Sequence, residues 1–160
     1  MWKIIFVYTN TNTFLCAVKK LSDSTYSRCI YFATNALARK MEKLATQAWK
    51  KVNLSPSHAY LLMLVLDEPG IQPMKLSEEL QLEPSTITRL VEKLEEKKLV
   101  VRTSEGKLTN VYPTPKAKEL LPKMKQCAAD FYNSSLTTFG KGESEKLIKS
   151  INYIADKLAG

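Results

Sequence analysis

The sequence predicts a mainly α-helical chain with a small β-hairpin wing, a winged helix-turn-helix set between long N- and C-terminal dimerisation helices. Three observations carry this reading. Apolar residues recur at steps of three and four over most of the chain. Pro56, Pro84 and Pro115 each stand where a first helical residue belongs, a position at which the missing N–H costs nothing. After Glu95-Glu96-Lys97-Lys98 the period switches to that of a strand.

From Tyr26 to Val52 one stripe runs through Ile30, Ala33, Leu37, Met41, Leu44, Ala48 and Val52, which predicts a long amphipathic helix. Its other face holds Arg39, Lys40, Lys43, Lys50 and Lys51, with Glu42 as the acid. Ser55-Pro56 supplies a cap and a first residue for a second helix. The body of that helix, Tyr60 to Leu66, is apolar on every side and predicts a core position. Asp67-Glu68-Pro69-Gly70 ends it, and Gln72-Pro73-Met74 is at most a short edge strand. Lys75 to Leu80 reads as a short helix with Leu76 and Leu80 inward. The chain restarts at Pro84, where Ile87, Leu90, Val91 and Leu94 mark one buried face. Short helix, tight turn and longer helix make a helix-turn-helix. Leu99–Arg102 and Leu108–Tyr112 follow as strands around a polar turn, Thr103 to Lys107. Thr114-Pro115 opens a helix reaching toward Ser134, with Pro122 predicting a kink or break. A last helix, about Ser144 to Leu158, shows Leu147, Ile151, Ile154 and Leu158 along one seam, widened by Ile148 and Ala155.

These stripes divide the chain into an N-terminal extension (1–22), a dimerisation helix (23–54), a reading unit (55–112) and C-terminal dimerisation helices (113–160). A second copy across a two-fold axis would cover the long stripes, making a homodimer. Packing of the three helices within one chain is the alternative.

Composition narrows the function. With 160 residues the chain is too short for a barrel enzyme, and neither G-x-G-x-x-G nor G-x-x-x-x-G-K occurs. One histidine and three widely spaced cysteines provide neither a metal set nor a disulfide framework. No catalytic residues, cofactor or metal are expected. The N-terminal apolar run, Ile4 to Tyr8, is too short for a signal peptide, and no stretch is long enough to span a bilayer. A soluble cytoplasmic protein with no membrane partner is the expectation.

The net charge is +8, but the basic excess lies mostly in residues 1–54, whereas residues 75–112 are neutral overall. Duplex DNA is therefore to be met by charges placed on one face, because net excess cannot supply the contact. With its apolar side buried, the helix from Pro84 leaves Ser85, Thr86, Thr88, Arg89, Glu92 and Lys93 outside. Hydroxyls suit phosphates or base edges, Arg89 suits a bidentate guanine contact, and Lys93 suits phosphate. The hairpin would present Arg102 and Lys107 to the adjacent minor groove. A winged helix used for protein contacts, without DNA binding, remains the alternative.

The run Leu76-Ser77-Glu78-Glu79-Leu80-Gln81-Leu82-Glu83-Pro84-Ser85-Thr86-Ile87-Thr88-Arg89-Leu90-Val91-Glu92-Lys93-Leu94-Glu95-Glu96-Lys97-Lys98-Leu99-Val100 closely resembles the signature of MarR-type regulators, and the order of elements agrees. That resemblance implies a homodimeric transcriptional regulator, usually a repressor. It implies a palindromic operator and release by a small aromatic ligand or by thiol oxidation. The chain departs from the family where the wing's Asp-Arg-Arg becomes Glu105-Gly106-Lys107 and where glycines become Gln81 and Ala117. At Gln81 the turn demands a left-handed residue, at a cost of about 1 kcal/mol.

Arg28-Cys29-Ile30-Tyr31-Phe32 is similar to the reactive-cysteine segment of the family's organic-hydroperoxide branch, which makes Cys29 a redox candidate. Ser55 replaces that branch's tyrosine, so Tyr31 or Tyr60 would have to partner the thiol. A structural cysteine is the alternative reading, and Cys16 and Cys127 are read as packing residues. His58 suits either a ligand pocket or an interface. Trp49, Tyr60, Phe131 and Tyr132 are expected in the core.

Overall fold

The computed structural model describes residues 20–106 and 108–158. Most of the N-terminal extension, Cys16 included, lies outside them, as does Lys107. The chain divides into two compact units, one ending at Arg39 and one beginning at Lys40.

In the first unit a 3-10 turn, Leu21–Asp23, precedes a looser turn, and helix α1 (Ile30–Trp49) begins later than Tyr26. Ser24 accounts for the delay. Its hydroxyl accepts the Tyr26 N–H at 3.3 Å, and the Cys29 N–H closes on the Tyr26 carbonyl at 2.9 Å, a local turn that competes with helix. Tyr26 and Phe32 stack at a tilt with centroids 5.7 Å apart, while Ile30 and Tyr31 are exposed.

In the second unit α1 buries Ala45 and Trp49, then tightens into a 3-10 turn, Lys50–Val52, closed by Asn53 at φ 54°. Helix α2 (Pro56–Asp67) follows, its Ser55 cap receiving the His58 N–H. It is the hub of the unit, touching the three helices α3 (Pro73–Leu80), α4 (Pro84–Glu96) and α5 (Pro115–Phe139) and the hairpin strand β2 (Leu108–Pro113). Burial of Ala59, Leu61, Leu62 and Val65 explains how a helix apolar on all sides is tolerated.

Gln72-Pro73-Met74 is not a strand. The strand-like rung falls one residue earlier, where the Ile71 carbonyl accepts the Val111 N–H at 3.1 Å and the Gly70 N–H donates to the Val111 carbonyl at 2.9 Å, and Pro73 opens α3. Gly70 permits that approach: its φ is +92°, and a Cβ there would lie 3.0 Å from the Tyr112 hydroxyl.

The turn between α3 and α4 is a Schellman closure. Leu82 N–H reaches the Ser77 carbonyl at 3.1 Å, Gln81 N–H reaches Glu78, and Gln81 adopts φ 51° as the missing glycine requires. The Ser77 hydroxyl also donates to the Leu82 carbonyl. A second such closure ends α4, with Leu99 N–H on Leu94 at 2.9 Å and Lys98 at φ 59°.

Strands β1 (Val100–Glu105) and β2 pair antiparallel from Val100↔Pro113 to Glu105↔Leu108, so Thr103, Ser104 and Glu105, expected in the polar turn, belong to the strand. Helix α5 continues through Pro122 without a break and past Ser134 to Phe139. Ser134, Ser135, Thr137 and Thr138 each donate to the carbonyl four residues back, which satisfies their hydroxyls inside the helix. Helix α6 (Lys141–Leu158) starts one turn earlier than the spacing implied.

Candidate functional site

The site begins with the buried side of α4. Ile87, Val91 and Leu94 are essentially inaccessible and Leu90 is half-buried, fixing the rotation of the helix against α2 and α3. Ser85, Thr86, Thr88, Arg89, Glu92 and Lys93 then all face outward and are exposed. Glu83 precedes the helix without a side-chain cap hydrogen bond, so its side chain leaves the positive end of the helix dipole open.

Local bonds differentiate these residues. Thr88 donates its hydroxyl to the Pro84 carbonyl at 3.0 Å, leaving the oxygen to accept. Lys93 pairs with Glu96 at 2.7 Å in the exposed last turn. Arg89 makes no ion pair among the described residues.

Arg102 stands apart from this surface. Strand alternation puts it on the same side of β1 as buried Val100, and its guanidinium meets Glu95 of α4 at 2.6 Å. Sequence reading placed Arg102 on the wing and missed Glu95, because seven residues across a change of period leave no helical or strand spacing to follow. Lys107, the other wing candidate, lies outside the described residues.

The second unit holds further polar and aromatic features. His58 sits at the start of α2 with Nδ1 2.6 Å from the Ser55 hydroxyl, and burial followed by the Lys97 and Lys93 charges pushes its pKa down. An open cleft of about 460 Å³ lies between α1 and α5, with apolar walls of Leu44, Ala48 and Phe131 and polar groups from Gln47, Asn133 and Ser134. At its edge Lys51 and Asp130 pair at 2.6 Å, a hydrogen bond that raises the lysine and lowers the carboxyl. Of the aromatics expected in the core, Trp49 is buried, meeting Tyr60 edge-on at 5.5 Å, but Tyr60 and Tyr132 are exposed. Their hydroxyl ends favour water over an unpaired interior position.

In the first unit Cys29 is exposed and outside any disulfide among the described residues, one residue before α1, with exposed Arg28 beside it. Cys127 is buried in α5, consistent with packing.

Comparison with known proteins agrees with this arrangement. The MarR family model matches residues 52–107. An uncharacterised HTH-type transcriptional regulator of Bacillus subtilis, YybA, is 23% identical over 114 residues, spanning 69% of this chain and 76% of its own. MepR of S. aureus, solved in complex with DNA, superposes with a TM-score of 0.71 at 16% identity over 81% of this chain and 97% of its own. CouR of Rhodococcus jostii RHA1, solved with p-coumaroyl-CoA, gives 0.65 at 20% identity over 88% of this chain and 95% of its own. The matched segment runs from the turn after α1 through α2, α3, α4 and β1 and contains the signature residues from Leu76 to Val100, so this part of the chain is similar to the MarR family, and the solved structures share its winged helix-turn-helix fold.

Proposed function

We propose that the chain binds duplex DNA as a homodimer, reads a palindromic operator with two copies of α4, acts as a repressor and is released by a small-molecule effector. One observation carries the proposal: α4 buries Ile87, Val91 and Leu94 while turning Ser85, Thr86, Thr88, Arg89 and Lys93 outward from its open N-terminal end. In a helix-turn-helix that end meets base edges in the major groove. Arg89 would contact guanine, the hydroxyls and Lys93 would hold phosphates, and the hairpin would flank the adjacent groove with Lys107, and with Arg102 where it exchanges Glu95 for phosphate. Residues 55–112 form the reading unit in this scheme, with 23–54 and 113–160 as dimerisation segments. Exposed Ile148, Ile151 and Ile154 on α6 support the dimer.

The complexes of MepR with DNA and of CouR with an acyl-CoA support the two kinds of partner. No helix among the described residues is long and apolar enough to cross a membrane, which accords with action in the cytoplasm. Catalysis has no place in this reading, since the sequence offers no nucleophile, base and orienting group together.

Exposure of the Cys29 thiol beside Arg28 supports a second version in which oxidation is the releasing signal. Selection of bound duplexes from a random pool, with and without peroxide, tests both. An enriched inverted repeat supports the regulator, and loss of binding on oxidation that Cys29→Ser abolishes supports the thiol version. Absence of any salt-sensitive duplex binding would leave only a protein-interaction module.

A further inference from the structure

His58 is the only histidine in the chain and lies where the core helix meets the reading helix. Its surroundings are one-sided. Nδ1 is engaged with the Ser55 hydroxyl at 2.6 Å, and the same hydroxyl caps the His58 N–H. Nε2 is shut off from solvent and has no hydrogen-bond partner among the described residues. The charges acting on the ring come from α4, Lys97 first and Lys93 second, and both are cationic. Lys97 is anchored, its ammonium donating to the Asn53 carbonyl at 3.2 Å and its carbonyl accepting from Lys116 of α5 at 2.8 Å. The carboxylates of the last turn of α4 are engaged elsewhere, Glu96 with Lys93 and Glu95 with Arg102. The acid of α2 itself, Asp67, stands at the far end of that helix.

We propose that His58 makes the packing of α2 on α4 acid-sensitive: protonating the occluded imidazole places an unpaired cation against Lys97 and Lys93, displaces the end of the reading helix and weakens duplex binding. The proposal rests on the DNA-binding reading for its functional half. Its sign follows from linkage. Burial and the two lysines favour the neutral ring in the fold, so the unfolded chain takes up the proton first. Stability is therefore full above the ordinary histidine range and declines as pH falls from about 6.5 through the depressed folded value. His is also the side chain whose ordinary titration falls between about pH 5 and 8.

The test compares wild type with His58→Gln on the duplex recovered by selection, at about pH 7.5 and about pH 5.5, together with urea unfolding at both values. The Cε1 proton of the single histidine gives the ring's own titration by NMR. Expected are a midpoint below 6.5, several-fold weaker wild-type binding in acid relative to the variant, and an unfolding midpoint that drops in wild type only. One linked proton limits the binding effect to about tenfold per pH unit. Parallel pH profiles in the two proteins, stronger wild-type binding in acid, or an NMR midpoint at or above 6.5 would overturn the device. Failure of both proteins to bind any duplex at the higher pH sinks the regulator reading instead, and the unfolding midpoints still decide whether the packing is acid-sensitive.

Discussion

Arg102 and Glu95 are joined twice: the guanidinium Nη2 lies 2.6 Å from Oε2, and the Arg102 backbone N–H donates to Oε1 at 3.1 Å. One carboxylate of α4 thus holds both the side chain and the backbone of Arg102 on β1. Both side chains remain about a third exposed, so the ion pair itself contributes no more than about 1 kcal/mol. Glu95→Ala should lower stability by that order in denaturant unfolding. It also frees a guanidinium and removes a negative charge beside the proposed DNA surface. Non-specific duplex affinity should rise, with the salt slope steepening by about one unit. A flat slope would show that the released Arg102 does not reach phosphate.

Arg89 carries the specificity argument, being exposed and without an ion-pair partner among the described residues. Arg89→Ala should weaken binding to the selected operator by about 1 to 3 kcal/mol and hardly affect a scrambled duplex. Lys93→Ala, by contrast, removes a charge already shared with Glu96, so its loss should be smaller and equal for all sequences. Competition binding with the two duplexes separates these outcomes.

Two left-handed closures lack the glycine that suits them, Gln81 at φ 51° and Lys98 at φ 59°. Neither Gln nor Lys has the short side chain that eases this conformation, as Asn does at Asn53. Lys98→Gly should therefore raise stability by about 0.5 to 1 kcal/mol, the relief of backbone strain outweighing the greater entropy of the unfolded glycine chain. Gln81→Gly should gain less, because Gln81 Nε2 also donates to the Glu78 carbonyl at 2.7 Å and that bond would be lost. Urea midpoints of the two variants check the order.

The elements that were legible from sequence are those whose ends carry their own chemistry. Ser55-Pro56 and Thr114-Pro115 cap and start α2 and α5 as read, and the outward face of α4 follows from Ile87, Leu90, Val91 and Leu94. Pro73 was misplaced because proline suits both an edge strand and a first helical residue, and only the rung from Ile71 to Val111 decides between them. The pairs Arg102–Glu95 and Lys51–Asp130 join separate elements, so no local spacing encodes them. Tyr60 and Tyr132 illustrate a different limit, since helical periodicity weights an aromatic ring without its hydroxyl.

The α6 seam supplies the last prediction. Leu147, Ile148, Ile151, Ile154 and Leu158 are all at least 37% exposed along one helix, an apolar surface that a lone chain would leave in water. A two-fold axis would bury it against its own copy, and each substitution then acts twice. Ile151→Glu removes the transfer energy of one aliphatic side chain per copy and introduces a charge, a loss of about 3 kcal/mol or more, which is roughly a hundredfold in the dimer constant. Sedimentation equilibrium should show a dimer for the natural chain and a shift toward monomer for the variant, whose helical circular dichroism is otherwise preserved. Thermal unfolding should depend on protein concentration in the natural chain and lose that dependence in the variant. Operator binding should fall further than the dimer constant alone requires at low protein concentration, because one α4 reads only a half-site. An unchanged mass for the two proteins would assign the seam another occupant and remove the support that α6 gives to the homodimer.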